Sequence, residues 1–76
     1  MEVKIYTTPT CPWCKKTKVF LKNNKVSFKE IDVSSDEAAS KEMIAKSGQM
    51  GVPVVDIEGK IITGFDEEGL KKALKL

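Results

Sequence analysis

The sequence predicts an α/β fold with the element order βαβαββα: a four-stranded mixed sheet flanked by three helices. Three observations carry this expectation. Apolar residues recur at two-residue steps in some segments and at three- and four-residue steps in others, and Pro, Gly, Asn or Asp stands where the pattern changes. The chain has 76 residues, 41% hydrophobic and 32% charged, which suits one small domain over residues 1–76 and excludes a multidomain enzyme. A domain of this size buries only about 60% of the surface its unfolded chain exposes, so function is expected to rest on few residues.

Val3-Lys4-Ile5-Tyr6-Thr7 alternates and is β-branched or aromatic at most positions, so it reads as a strand ended by Thr8-Pro9-Thr10. From Pro12 to about Asn24 the period becomes helical. Cys14, Thr17, Phe20, Leu21 and Asn24 form one stripe, while Lys15, Lys18 and Lys22 face outward as a solvated face. Pro12 suits the first helical position because its φ is already helical and its missing N–H is not needed there, which makes Cys11 the cap. Val26–Val33 reads as a second strand. Ser34 and Glu37 have capping-box spacing ahead of a helix that runs through Met43 and Ile44 to Gly48. Pro53–Ile57 and Lys60–Thr63 form a hairpin about Glu58-Gly59, with Gly59 supplying the turn conformation. Asp66, Glu67 and Glu68 open a last helix that Lys71, Lys72 and Lys75 close, in line with the macrodipole, and Leu70, Ala73 and Leu74 are its buried stripe. Strand, helix, strand at the front implies a right-handed parallel crossover, and the closing hairpin is antiparallel.

All thirteen basic residues are lysines, set against eleven acidic ones for a formal net charge of +2 with no histidine. That balance excludes a nucleic-acid reader, which leans on arginine for bidentate contacts. No stretch approaches the roughly 20 apolar residues of a membrane span, and Met1-Glu2-Val3-Lys4-Ile5 has no leader-like apolar region, so a cytoplasmic, soluble, monomeric protein is expected. The two cysteines, Cys11 and Cys14, would close a ring too short to stabilise the chain much. In a reducing compartment such a pair is catalytic or metal-binding rather than structural.

Cys11-Pro12-Trp13-Cys14 lies between a strand and a helix, the setting of a redox-active pair. The partial positive charge and free N–H groups of a helix N-terminus favour a thiolate at the cap, and the thiolate is the nucleophile of disulfide exchange. Helical geometry puts Cys14 on the stripe facing the sheet and Cys11 at the exposed tip. Cys11 is therefore expected to attack a substrate disulfide and Cys14 to resolve the mixed disulfide. A small metal carrier also holds one Cys-x-x-Cys, but it has a hairpin where this chain has its second helix. A structural zinc site needs more ligands than two cysteines and no histidine supply, so no metal is expected.

Thr8-Pro9-Thr10-Cys11-Pro12-Trp13-Cys14, Gly51-Val52-Pro53 and Thr63-Gly64-Phe65-Asp66, in that order and spacing, resemble the glutaredoxins, especially short bacterial glutaredoxin-like proteins and NrdH-type redoxins. The resemblance covers essentially the whole chain. It implies the thioredoxin fold, thiol–disulfide oxidoreductase activity and no tightly bound cofactor, with glutathione as co-substrate. It also implies a cis peptide bond before Pro53 and a substrate groove formed by Thr8, Pro12, Trp13, Val52, Pro53, Gly64, Phe65 and Asp66. Trp13 stands where the common glutaredoxin motif has tyrosine, and an exposed role in docking partners is expected of it; Tyr6 is expected to pack on the sheet.

The sequence departs from the glutathione-using pattern at two places. Thr8 stands where a lysine is common, and Thr63-Gly64 replaces a Gly-Gly pair, while Phe65 and Asp66 keep the rest. Asp66 suits both a helix cap and the glutamyl end of glutathione. NrdH-type redoxins take electrons from thioredoxin reductase, so the donor is either glutathione, the favoured reading, or that enzyme, and the substrates are disulfide-containing proteins. A second class, thiolate binding of a metal or of an iron–sulfur cluster shared with glutathione, is the less favoured alternative.

Overall fold

Alternation along Val3–Thr7, strand β1, sends Val3 and Ile5 to one side of the sheet and Tyr6 to the other. The computed structural model describes residues 2–76; Met1, the first residue of the stretch read above for a leader, lies outside them. After β1 come α1 (Pro12–Asn23), β2 (Lys29–Asp32), α2 (Glu37–Ser47), β3 (Val54–Ile57), β4 (Lys60–Thr63) and α3 (Glu67–Leu74). The strands lie in the order β2-β1-β3-β4. β1 pairs in parallel with β2, Ile5 opposite Glu30, and antiparallel with β3, Ile5 opposite Val55; β3 and β4 are the antiparallel hairpin. The predicted mixed sheet with three helices is thus present.

Each face of the sheet has its own core. Val3, Ile5, Val55 and Ile57 meet Leu21 of α1 and Leu70, Ala73 and Leu74 of α3. On the other face Tyr6 and Val54 meet Met43 of α2. Gly48 ends α2 at φ 73, donating its N–H to Ile44 O at 2.8 Å. At the hairpin, Glu58 and Gly59 both take positive φ, 51 and 93, as a two-residue turn matched to strand twist requires. Asp56 Oδ1 accepts the Gly59 N–H at 2.8 Å.

Several expectations are corrected. β2 begins at Lys29 rather than Val26, because the end of α1 uses that backbone: Val26 donates its N–H to Leu21 O at 2.9 Å and Lys25 sits at φ 58. Asn24, assigned to the buried stripe of α1, is exposed; its side chain donates to Phe20 O at 2.9 Å. The N-cap of α2 is Asp36, whose Oδ1 accepts the Ala39 N–H at 3.0 Å. Ser34 does not cap it, because Asp32 Oδ1 holds both the Ser34 N–H and its hydroxyl at 2.9 and 2.6 Å.

Under α2 runs a polar network. Lys46 Nζ lies 2.7 Å from Asp56 Oδ2 and 3.0 Å from Glu42 Oε1, and Tyr6 donates its hydroxyl to Glu42 Oε1 at 2.6 Å. Burial pushes the Asp56 carboxyl up, but hydrogen bonds from Lys46 and Gly59 outweigh it and hold it below its ordinary value. A carboxylate depressed in the fold stabilises it above the ordinary range and loses that contribution as pH falls through the lowered value. Asp56→Asn is therefore expected to cost about 2 kcal/mol in urea unfolding at pH 7. That difference should shrink as pH drops from about 4 toward 2; a difference constant over the whole range would remove the ion pair as its cause.

Candidate active site

β1 ends at Thr7, and Thr8-Pro9-Thr10 turns the chain so that Cys11 lands as the N-cap of α1 with Pro12 in the first helical position. Cys11 is extended (φ −97, ψ 108), and its sulfur accepts the Cys14 N–H at 3.0 Å. Its own N–H donates to Thr8 O at 3.4 Å and its carbonyl accepts from Lys15 N at 3.3 Å. No acidic residue stands in the first turn. The expectation of an exposed tip is corrected: Cys11 is only 9% exposed, because its side chain turns back over the helix end to accept that hydrogen bond. Cys14, one turn on, is 1% exposed, and both thiols are free.

Burial, first, and the hydrogen bond with Cys11, second, push the Cys14 thiol up to about 12; the Thr8 backbone and the Lys18 cation work in the other direction. The two sulfurs are therefore unequal in kind. One is held by a helix-end N–H, and the other is a buried thiol that loses its proton only with help.

Beside them lies a shallow groove of about 310 Å³ lined by Trp13, Val52, Pro53, Gly64 and Phe65. The Val52–Pro53 bond is cis, as the resemblance implied. Gly64 donates its N–H to Pro53 O at 2.9 Å, which ties the two loop segments of the groove to each other. Trp13 is 54% exposed. Its ring lies 6.4 Å from that of Phe65 and under Lys16 Nζ at 4.3 Å, while Phe65 meets Phe20 edge-on at 6.1 Å. Five of the eight predicted groove residues thus converge. The other three stand apart from the lining: Thr8 faces the cysteines through its backbone, Pro12 is exposed at the helix start, and Asp66 caps α3 by accepting the Gly69 N–H at 3.0 Å.

Sequence reasoning missed one group at the site. Lys18, assigned to the solvated face, instead lies against the sheet with its side chain 26% exposed and its Nζ 2.8 Å from Glu30 Oε2. Buried Thr7 donates its hydroxyl to the same oxygen at 3.0 Å. The available signal was register: Glu30 sits opposite Ile5 in the parallel pair, on the face that α1 covers.

Residues 3–62 match the family model described as Glutaredoxin. The chain belongs to the glutaredoxin family. Glutaredoxins are thiol–disulfide oxidoreductases, and the sheet and helices described above are their thioredoxin fold. This glutaredoxin is 47% identical over 73 residues to a glutaredoxin-like 8.6 kDa protein of the rubredoxin operon in Clostridium pasteurianum, which covers 96% of this chain and 97% of that one. A glutaredoxin from Archaeoglobus fulgidus superposes with a TM-score of 0.91 at 34% identity, over 99% of this chain and 87% of that one. NrdH-redoxin from Escherichia coli, a glutaredoxin-like protein with a thioredoxin-like activity profile, superposes with a TM-score of 0.83 at 26% identity, over 93% of each chain.

Iodoacetamide at pH 7 is expected to modify Cys11 of the folded glutaredoxin and to leave Cys14 unmodified until the protein is denatured, as read by peptide mass mapping. Comparable labelling of both thiols in the native protein would contradict the burial and proton affinity of Cys14.

Proposed function

We propose that the protein is a dithiol glutaredoxin in which Cys11 is the nucleophile and Cys14 the resolving thiol. The observation that carries this is the hydrogen bond from the Cys14 N–H to the Cys11 sulfur at the start of α1, with the second thiol buried directly behind it. The Cys11 thiolate attacks one sulfur of a substrate disulfide, forming a mixed disulfide and releasing the first product thiolate. Cys14, once deprotonated, attacks the Cys11 sulfur, releases the second product and leaves a Cys11–Cys14 disulfide. Two electrons pass to the substrate, and two thiols of a donor restore the pair.

The donor we propose is glutathione. An apolar groove of tripeptide scale beside the cysteines, framed by Trp13 and Phe65, favours it, and Val52 offers backbone groups to an extended peptide in the manner of an added strand. Thr8, Pro12, Trp13, Val52, Pro53, Gly64, Phe65 and Asp66 are the contacts proposed. The protein works in this reading as a cytoplasmic monomer on disulfide-containing protein substrates, without a bound metal. The likeness to NrdH-redoxin over 93% of the chain, together with Thr8 and Thr63, favours a second reading, reduction by thioredoxin reductase and delivery of electrons to ribonucleotide reductase.

NADPH oxidation by the oxidised protein distinguishes the donors when glutathione plus glutathione reductase is run beside thioredoxin reductase alone. Turnover with glutathione only is the expected result. Turnover with thioredoxin reductase only would replace the glutathione reading by the second. In both arms Cys11→Ser should abolish activity, whereas Cys14→Ser should trap mixed disulfides; retained dithiol turnover in Cys11→Ser would refute the assignment of the nucleophile.

A further inference from the structure

We infer that Lys18 is a positioning residue for the resolving step: held one helical turn beyond Cys14 by Glu30 and Thr7, its ammonium group stabilises the thiolate that Cys14 must become. The inference rests on the proposed roles of the two cysteines. Cys14 and Lys18 are four residues apart on α1 and therefore share a face. The lysine side chain is partly exposed but is held toward the sheet by an ion pair. Glu30 on β2 holds its Nζ at 2.8 Å, and the buried Thr7 hydroxyl on β1 fixes the same carboxylate oxygen at 3.0 Å. Lys18 and Thr7 pull the Glu30 carboxyl below its ordinary value against the effect of burial, so the carboxylate stays ionised near neutral pH. Three elements, α1, β1 and β2, thus hold a cation one helical turn beyond the buried thiol.

The groups that face Cys14 support this assignment. From its own helix and cap these are Cys11 and Lys18; the Thr8 backbone and, more weakly, the Lys18 cation act against the burial that raises the thiol. From β2 the charged groups on this face are Glu30, whose other charged neighbour is Lys22 of α1, and Asp32, which bonds to Ser34. The charged residue of β3, Asp56, bonds to Lys46 of α2 under the opposite face, and Asp66 is engaged as the cap of α3. In the step itself the Cys14 proton passes to solvent, the Cys14 thiolate forms a bond to the Cys11 sulfur, and the bond from Cys11 to the substrate sulfur breaks with its electron pair leaving on the substrate. Lys18 neither gives nor takes a proton in this step.

Dithiobis-nitrobenzoate separates the two steps in stopped flow, because attack by Cys11 releases one coloured thiolate and attack by Cys14 releases a second at a rate independent of reagent concentration. A thiol pKa raised by one unit lowers the thiolate fraction about tenfold but strengthens the thiolate that remains, for a net loss of about threefold. Lys18→Gln is expected to slow the second phase about threefold at pH 7, and Lys18→Arg to restore it. Glu30→Gln disrupts the same ion pair but removes the opposite charge, so it is expected to speed the second phase. A purely structural pair predicts the same direction for both variants. That result, or a second phase unchanged by Lys18→Gln, would overturn the inference. Absence of a first phase in the wild-type protein would instead overturn the role of Cys11.

Discussion

The hydrogen bond from the Cys14 N–H to the Cys11 sulfur is the constraint on which the rest of the site depends. A helix begins with backbone N–H groups that have no partner within the helix, and a side chain at the cap must supply an acceptor. Serine or aspartate would do so with oxygen. Here sulfur does, so the group that completes the helix is also the group proposed to react. Starting α1 elsewhere would separate those two roles. Its position follows from the end of β1 at Thr7, the turn through Thr8-Pro9-Thr10 and the proline that opens the first helical turn.

The two faces of the sheet carry different kinds of interaction. Under α2, the network of Lys46, Asp56, Glu42 and Tyr6 gives partners to polar groups in a layer whose apolar core is small, Tyr6, Met43 and Val54. The face under α1 and α3 holds the larger apolar core and, at its edge, Cys14, Thr17 and the Lys18–Glu30 pair. That arrangement sets the environment of the two thiols. Apolar packing desolvates Cys14, and the Thr8 backbone and, more weakly, the Lys18 cation act against this desolvation.

Legibility followed the range of the interactions. Pro12, Gly48 and the Glu58-Gly59 turn act within their own few residues, so α1, the end of α2 and the hairpin were readable from the sequence. The cap of α2 was misassigned because Ser34, Asp36 and Asp32 compete within five positions, and Asp32 takes both polar groups of Ser34. Val26 was lost from β2 to a hydrogen bond with Leu21 that belongs to the helix end. Five groove residues that come from three separate stretches of chain were predicted together, yet only through family resemblance. Lys18 was not predicted, because its partner is twelve residues away in sequence and is reached only through the register of β2 on β1.

Burial of Cys14 has consequences in both directions of exchange. In the proposed exchange, a thiol held near 12 is seldom ionised at neutral pH, which would slow its attack on the mixed disulfide; it is also a poor leaving group, which would slow reopening of a Cys11–Cys14 bond when a donor thiolate attacks Cys11. In both directions the transition state carries partial negative charge on the Cys14 sulfur as its bond to Cys11 forms or breaks. A cation near Cys14 lowers that barrier from either side, whereas one near Cys11 would not relieve the burden on the buried sulfur. Lys18 lies one turn from Cys14, paired with Glu30 at a partly exposed position. The same carboxylate partly cancels the field that it holds in place, so the pair tempers the effect of burial rather than abolishing it. In the proposed mechanism Cys14 stays protonated between events, and the proposed attacking and resolving roles of the two cysteines remain distinct.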